Sequence, residues 1–139
     1  MIVKMPFQKE GGTITNTFTT IMDLAPTFLE MAGGIYPSIY KQKKIDAYKG
    51  ASLLPFLNKK KKYVHDEDYV MGWELFGRCA VRKGKWKITK IERPFGKGMF
   101  ELFDMEKDPT ESKNLCIQNP QINTEMIVHC KDYEKDNGV

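Results

Sequence analysis

The sequence predicts an α+β fold, a small antiparallel sheet closed by a C-terminal helix. Three observations carry that prediction. An aromatic and apolar run begins at Tyr69 and continues as two period-two segments on either side of Lys83-Gly84. A further short apolar segment, Phe100 to Asp104, follows a proline turn. The pair Asn119-Pro120 then opens a stretch in which Ile122, Met126, Cys130 and Tyr133 recur at helical spacing. The chain has 139 residues, 41% hydrophobic and 29% charged, which is enough for about one domain with a true core.

Taken in order, Ile2-Val3 reads as a strand running into a turn at Pro6, so the chain is expected to begin mid-domain. Met1 to Lys9 is too short and too polar to expect a secretory signal. Gly11-Gly12 breaks the chain. Asp23 reads as the N-cap of a helix that tolerates Pro26 in its first turn and carries Leu24, Phe28, Leu29 and Ala32 on one face. Gly33-Gly34 ends it. Residues 35–49 read as a loop, and Ser52 caps a short apolar turn over 53–57. Strands are expected over 69–76, 79–82, 85–91 and 100–104, with a hairpin turn at Lys83-Gly84. Counting outward from that turn places Arg82 opposite Lys85, Val81 opposite Trp86 and Cys79 opposite Ile88. Trp73, Phe76, Trp86, Phe100 and Phe103 are expected in the core. Gly138 closes the last helix. The exposed strand at Ile2-Val3 and the apolar face of the first helix make residues 1–34 the expected weak point, or a site of self-association through the N-terminal edge.

Chemistry-bearing residues are sparse. The net charge is +4, which argues for solubility and against nucleic acid as a partner. No apolar run is long enough to suggest a membrane helix. Cys79, Cys116 and Cys130 are widely spaced, form no C-x-x-C pair, and leave at least one free thiol. The two histidines are His65, in a polar His-Asp-Glu-Asp loop expected to be solvated, and His129, mid-helix. Neither brings the partners that nucleophilic catalysis requires. Gly96-Lys97-Gly98 is too short to cradle a phosphate, and the lysine runs at 41–44 and 59–62 read as solvated loops.

Five segments nevertheless stand out in order: Ile2-Val3-Lys4-Met5-Pro6; Thr20-Ile21-Met22-Asp23-Leu24-Ala25-Pro26-Thr27 onward to Gly33; Gly50-Ala51-Ser52-Leu53-Leu54-Pro55-Phe56-Leu57; Gly72-Trp73-Glu74-Leu75-Phe76-Gly77-Arg78 onward to Lys87; and Glu101-Leu102-Phe103-Asp104 through Asp108-Pro109 to Asn114-Leu115. Together they resemble the C-terminal part of the sulfatase family, closest to the arylsulfatase type. Within these, Lys85 stands where the family's motif has Asp.

The resemblance implies an alkaline-phosphatase-like sulfatase architecture. Residues 1–57 would be the tail end of the large domain, and 58–139 the C-terminal subdomain. It implies a sulfuric ester hydrolase for the whole enzyme, with calcium and a formylglycine as cofactors of the N-terminal part. None of that machinery maps onto this chain. No cysteine here sits in the C/S-x-P-x-R modification motif, since Cys79 precedes Ala-Val, Cys116 precedes Ile-Gln and Cys130 precedes Lys-Asp. The chain alone is therefore expected to be inactive, to act as scaffold, and to present Trp73, Glu74 and Arg78 as pocket-wall residues beside a sheet core. Its expected partner is the catalytic sulfatase half. The alternative is a non-catalytic interaction module that complements a separately encoded catalytic chain. No compartment is implied.

Overall fold

A computed structural model describes residues 1–6 and 11–138. The chain divides into two compact units, Met1–His65 and Asp66–Val139.

In the first unit, Ile2 and Val3 form no strand, and Ile2 is fully exposed. No strand among the described residues offers them a ladder partner. A 3-10 turn, Ile21–Asp23, leads into α1, Leu24–Met31. Asp23 holds the N-cap position of α1, as expected, but makes no side-chain cap there; the side-chain cap is Thr20, ahead of the 3-10 turn. The Thr20 hydroxyl accepts from the Met22 N–H while the Asp23 carboxylate accepts from the Thr20 N–H at 2.7 Å, a reciprocal capping box. The expected face of α1 is also revised. Asp23 and Thr27, one turn apart, are its buried residues, whereas Phe28 is 63% exposed. Polar bonding drives that choice. The Thr27 hydroxyl donates to the Asp23 carbonyl and accepts from the Leu53 N–H, and Asp23 also accepts from the Ala51 N–H. Gly50 lies flat against the Met22 carbonyl, where a Cβ would come within 2.3 Å of the oxygen. At the far end Gly33 takes φ 66°, and the Gly33 and Gly34 N–H groups donate to the Glu30 and Leu29 carbonyls, which closes the helix as a Schellman cap.

Residues 35–49 hold a small hairpin where a loop was expected. Its strands are β1, Ile39–Tyr40, and β2, Lys43–Lys44, joined by Lys41 and Gln42 at φ 48° and 65°. Two positive φ angles make a type I′ connection, but without the Asn-Gly or Asp-Gly that would announce it. The short helix α2, Leu54–Leu57, follows, with the Ser52 hydroxyl accepting from the Leu54 N–H.

The second unit is one antiparallel sheet and one helix. The strands are β3, Val70–Leu75; β4, Arg78–Lys83; β5, Trp86–Lys90; and β6, Phe100–Asp104, in that spatial order. Helix α3, Pro120–Asn137, ends at Gly138 with φ 70°. One row of partners, Gly72, Val81, Ile88 and Leu102, runs across all four strands. Val81, Ile88 and Leu102 have no exposed surface, and with Met126 and Cys130 of α3 they form the core. Gly72 is required here, because a Cβ would come within 2.2 Å of the Tyr133 ring. A disulfide joins Cys79 on β4 to Cys130 on α3, and Cys116 is the free thiol.

The β4–β5 register differs from the expected one by one step in the turn. Lys83 pairs with Trp86 and Val81 with Ile88, so the two-residue loop is Gly84-Lys85. Gly84, at φ 54°, takes the first loop position, the place a type II′ turn reserves for glycine. Trp86 and Phe100 pack against the core and Phe103 is buried, as expected. Trp73 and Phe76 are not core residues, being 39% and 89% exposed. After β6, Asp108 organises the Asp-Pro turn by accepting from the Lys113 N–H and from the Thr110 and Ser112 hydroxyls. Asn114 then accepts from the Leu102 and Cys116 N–H groups, which caps the outer edge of β6.

Three outcomes are expected. Asp23→Ala removes the acceptor for donors on three segments, Thr20, Ala51 and His65, at about 1–3 kcal/mol per unsatisfied group; hydrogen exchange should show amides of residues 21–32 losing protection while those of 79–91 keep it. Gly72→Ala should cost about 1–3 kcal/mol by overpacking against Tyr133, and Gly72→Ala/Tyr133→Leu should recover part of it in denaturant melts. Asp108 is held at about 2, below its ordinary 3.8, chiefly by the Lys113 N–H. A depressed folded value stabilises above the unfolded value and is lost as pH falls toward 2. Acid melts of Asp108→Asn should therefore show less loss of stability between pH 4 and 2 than the parent.

Candidate functional site

The three residues singled out in sequence sit on or beside the β3–β4 turn. Alternation along β3 sends Trp73 and Glu74 to opposite faces. Glu74 shares the face of Gly72, toward α3; Trp73 and Leu75 share the other, together with Arg78, which pairs with Leu75 across the turn. The loop itself is Phe76-Gly77, with φ 53° and 76°, a second type I′ connection. Glycine suits one of those positions; phenylalanine in the other is uncommon. The Glu74 carboxylate accepts from the Gly77 N–H at 2.7 Å and so helps to hold that geometry.

Arg78 stacks its guanidinium 4.5 Å from the centre of the Phe95 ring. No ion pair joins Glu74 to Arg78 among the described residues; each is committed elsewhere. The result is a presented tip: Trp73 39% exposed, Leu75 61% exposed, Phe76 89% exposed and Phe95 76% exposed, with one guanidinium among them. Phe95 and Phe76 were missed as site residues. Phe76 was expected in the core and Phe95 only as part of a proline turn; the turn geometry turns both outward. A cation beside exposed rings can bind an anion while the rings supply flat apolar contact.

His65 is not in a solvated loop. Its side chain is 4% exposed, and Nε2 lies 2.9 Å from both Asp23 carboxylate oxygens. With the Phe18 ring 6.0 Å away, it completes the buried cluster at the start of α1. His129 Nε2 is buried without a hydrogen-bond partner among the described residues, and its nearest carboxylate, Glu125 at 3.6 Å, is bonded to Lys83 at 2.7 Å. Burial pushes the Cys116 thiol up, so it is a poor nucleophile.

Calcium takes six to eight oxygen ligands. Among the described residues the one cluster of metal-ligating type is Cys79, Cys130 and Glu134, two sulfurs bonded to each other and a single carboxylate. These residues do not fit a calcium site. The chain also holds no C/S-x-P-x-R motif from which formylglycine is made.

Comparison with known proteins supplies the context. A family model described as the C-terminal part of N-sulphoglucosamine sulphohydrolase matches residues 1–134. An uncharacterized sulfatase of Schizosaccharomyces pombe is 32% identical over 99% of this chain and 25% of its own length. An N-acetylglucosamine-6-O-sulfatase of Bacteroides thetaiotaomicron is 26% identical over 83% of this chain and 20% of its own. Among solved structures, a 2-O GAG sulfatase superposes with a TM-score of 0.54 at 29% identity, over 82% of this chain and 24% of that one. Ps i-CgsB, solved with a neocarrahexaose, gives a TM-score of 0.58 at 23% identity over 83% of this chain and 24% of that one. The chain thus spans a fifth to a quarter of the curated relatives it matches. It has the C-terminal fold of alkaline-phosphatase-like sulfatases, and it belongs to the sulfatase family as that family's C-terminal portion.

Proposed function

We propose that this chain is the scaffold and one pocket wall of a sulfuric ester hydrolase whose substrate is a sulfated carbohydrate. The observation that carries the reading is the match of residues 1–134 to the C-terminal part of a sulfatase, by a chain that covers only a fifth to a quarter of its relatives. The catalytic calcium and formylglycine would be supplied by the rest of the enzyme, since this chain's residues fit neither. The proposed role of the β3–β4 tip is recognition. Arg78 would meet a substrate anion, and Trp73 would lie against a sugar ring. Glu74 would act through the turn, as a positioning residue. Relatives named for the sulfate esters of N-acetylglucosamine and of GAG support a carbohydrate substrate.

The test is co-expression of this chain with a sulfatase catalytic region that lacks its own C-terminal part. The chain alone should give no calcium-dependent turnover of an aryl sulfate, and the pair should. In the active pair, Arg78→Ala should raise KM for a sulfated oligosaccharide about tenfold, as loss of a charge-assisted hydrogen bond does, with little change in kcat. Turnover by the isolated chain, or a pair whose KM ignores Arg78→Ala and Trp73→Ala alike, would overturn the reading.

A further inference from the structure

The net charge of +4 hides a segregation. Met1–His65 holds ten lysines against four carboxylates, net +6, and Asp66–Val139 holds twelve basic residues against fourteen acidic ones, net −2. Within the first unit the excess is concentrated in residues 41–62, where eight lysines face the single Asp46. All eight are exposed.

The lysines of the sheet and its connecting turns are placed differently. On the sheet, Lys83, Lys85, Lys87, Lys90 and Lys97 each lie beside a carboxylate: Glu125, Asp104, Glu111, Glu92 and Glu101. Among the described residues, Lys41, Lys43, Lys44, Lys60, Lys61 and Lys62 have no carboxylate within ion-pair distance. The backbone of the same segment is costly as well. Lys41 and Lys59 sit at φ 48° and 59°, in the left-handed region that glycine or asparagine fills with less strain. Stability alone would not select lysine at two turn positions inside a field of like charge.

We propose that the basic segment Lys41–Lys62 binds a sulfated polysaccharide, at a site distinct from the β3–β4 tip. The choice of a sulfated glycan rests on the sulfatase reading above; the binding of a polyanion rests on charge alone. A cluster of unneutralised cations attracts a polyanion and releases its counterions. The residue types separate the polyanions. Nucleic acid is read by arginine forks and by open aromatic faces. This unit contains no arginine. Lys41 and Lys62 sit over the rings of Tyr40 and Tyr63, and Tyr36 and Tyr48 stack on one another with centroids 4.1 Å apart. A membrane surface is met by a basic amphipathic helix, whereas these lysines occupy a hairpin and the turn after α2, and α1 carries no basic residue. A dispersed array of sulfate groups needs point charges, which lysine provides.

The full chain would be titrated against heparin, chemically desulfated heparin, single-stranded DNA and phosphatidylserine vesicles over a salt series. Heparin should bind most tightly, and desulfation should cost at least tenfold. The set Lys41→Gln/Lys43→Gln/Lys44→Gln should lower the salt slope by about three, about one per lysine. The set Lys60→Gln/Lys61→Gln/Lys62→Gln should lower it by about three on the same basis. Lys107→Gln/Lys131→Gln should leave it unchanged. If a large set unfolds the chain, Lys43→Gln/Lys60→Gln repeats the test at ordinary backbone angles. Equal binding of desulfated heparin, tighter binding of DNA or vesicles, or slopes that ignore both lysine sets would each overturn the proposal. Binding needs no turnover. Polymer binding without complementation would leave this site standing while the sulfatase reading fails, and complementation without polymer binding would do the reverse.

Discussion

A carboxyl group with no exposure must have every oxygen bonded, and Asp23 imposes that requirement on the whole first unit. Its donors come from three places in the chain: the Thr20 N–H before α1, the Ala51 N–H in the following loop, and the His65 ring at the end of the unit. Few other residues could hold these pieces together. Leu53 and Val64 are the buried hydrophobic residues among those described there, while Phe28, Met31, Ile35 and Ile39 are more than half exposed. With so little apolar burial, position is set by directed bonds. Those bonds dictate which face of α1 turns inward, why Gly50 must lack a side chain, and where α2 begins.

The second unit is built on the opposite principle. Its central row, Gly72, Val81, Ile88 and Leu102, has only apolar side chains to bury, and α3 lies over it. Non-directional burial needs shape rather than acceptors, and Gly72 supplies the hollow that Tyr133 fills. Register then does the rest. Moving β4 against β5 by one residue would turn Val81 and Ile88 to the other face, so the turn at Gly84-Lys85 and the apolar row fix each other. This unit can therefore afford charged strands, because each strand lysine finds a carboxylate nearby.

What was legible in the sequence follows from that contrast. Strand existence, the span of β6 and the whole of α3 follow from periodicity, because apolar burial leaves a periodic trace. The first unit left a poorer one. The apolar period of Leu24, Phe28 and Leu29 pointed to one face, but Asp23 and Thr27 pair with backbone groups that have no period, and His65 looked solvated because its acidic neighbours are. Turns were the other loss. Lys41-Gln42 and Phe76-Gly77 take left-handed angles without the usual residues in every position, so a loop was expected at the first and a core aromatic at the second. At the candidate site, Trp73, Glu74 and Arg78 were named from family-like motifs, and Phe76 and Phe95 were not, since exposure depends on the turn.

The residues that carry the resemblance can now be divided by what they do. Asp23, Thr27, Gly50 and Leu53 belong to the buried polar interlock. Gly72 is a packing hollow, Glu74 a turn clamp, Asp108 and Asn114 the acceptors that shape the chain after β6. All of these explain why the motifs specify a fold, and none requires a substrate. Two groups remain after that accounting. The tip residues Trp73, Phe76 and Arg78 lie on or beside a strained turn, and among the described residues Lys41, Lys43, Lys44, Lys60, Lys61 and Lys62 have no carboxylate within ion-pair distance, in a unit of net +6. Strain and unneutralised charge both oppose stability. On the proposals made above, both sets would serve anionic carbohydrate: one by contact with a ring and a single charge, the other by an extended field.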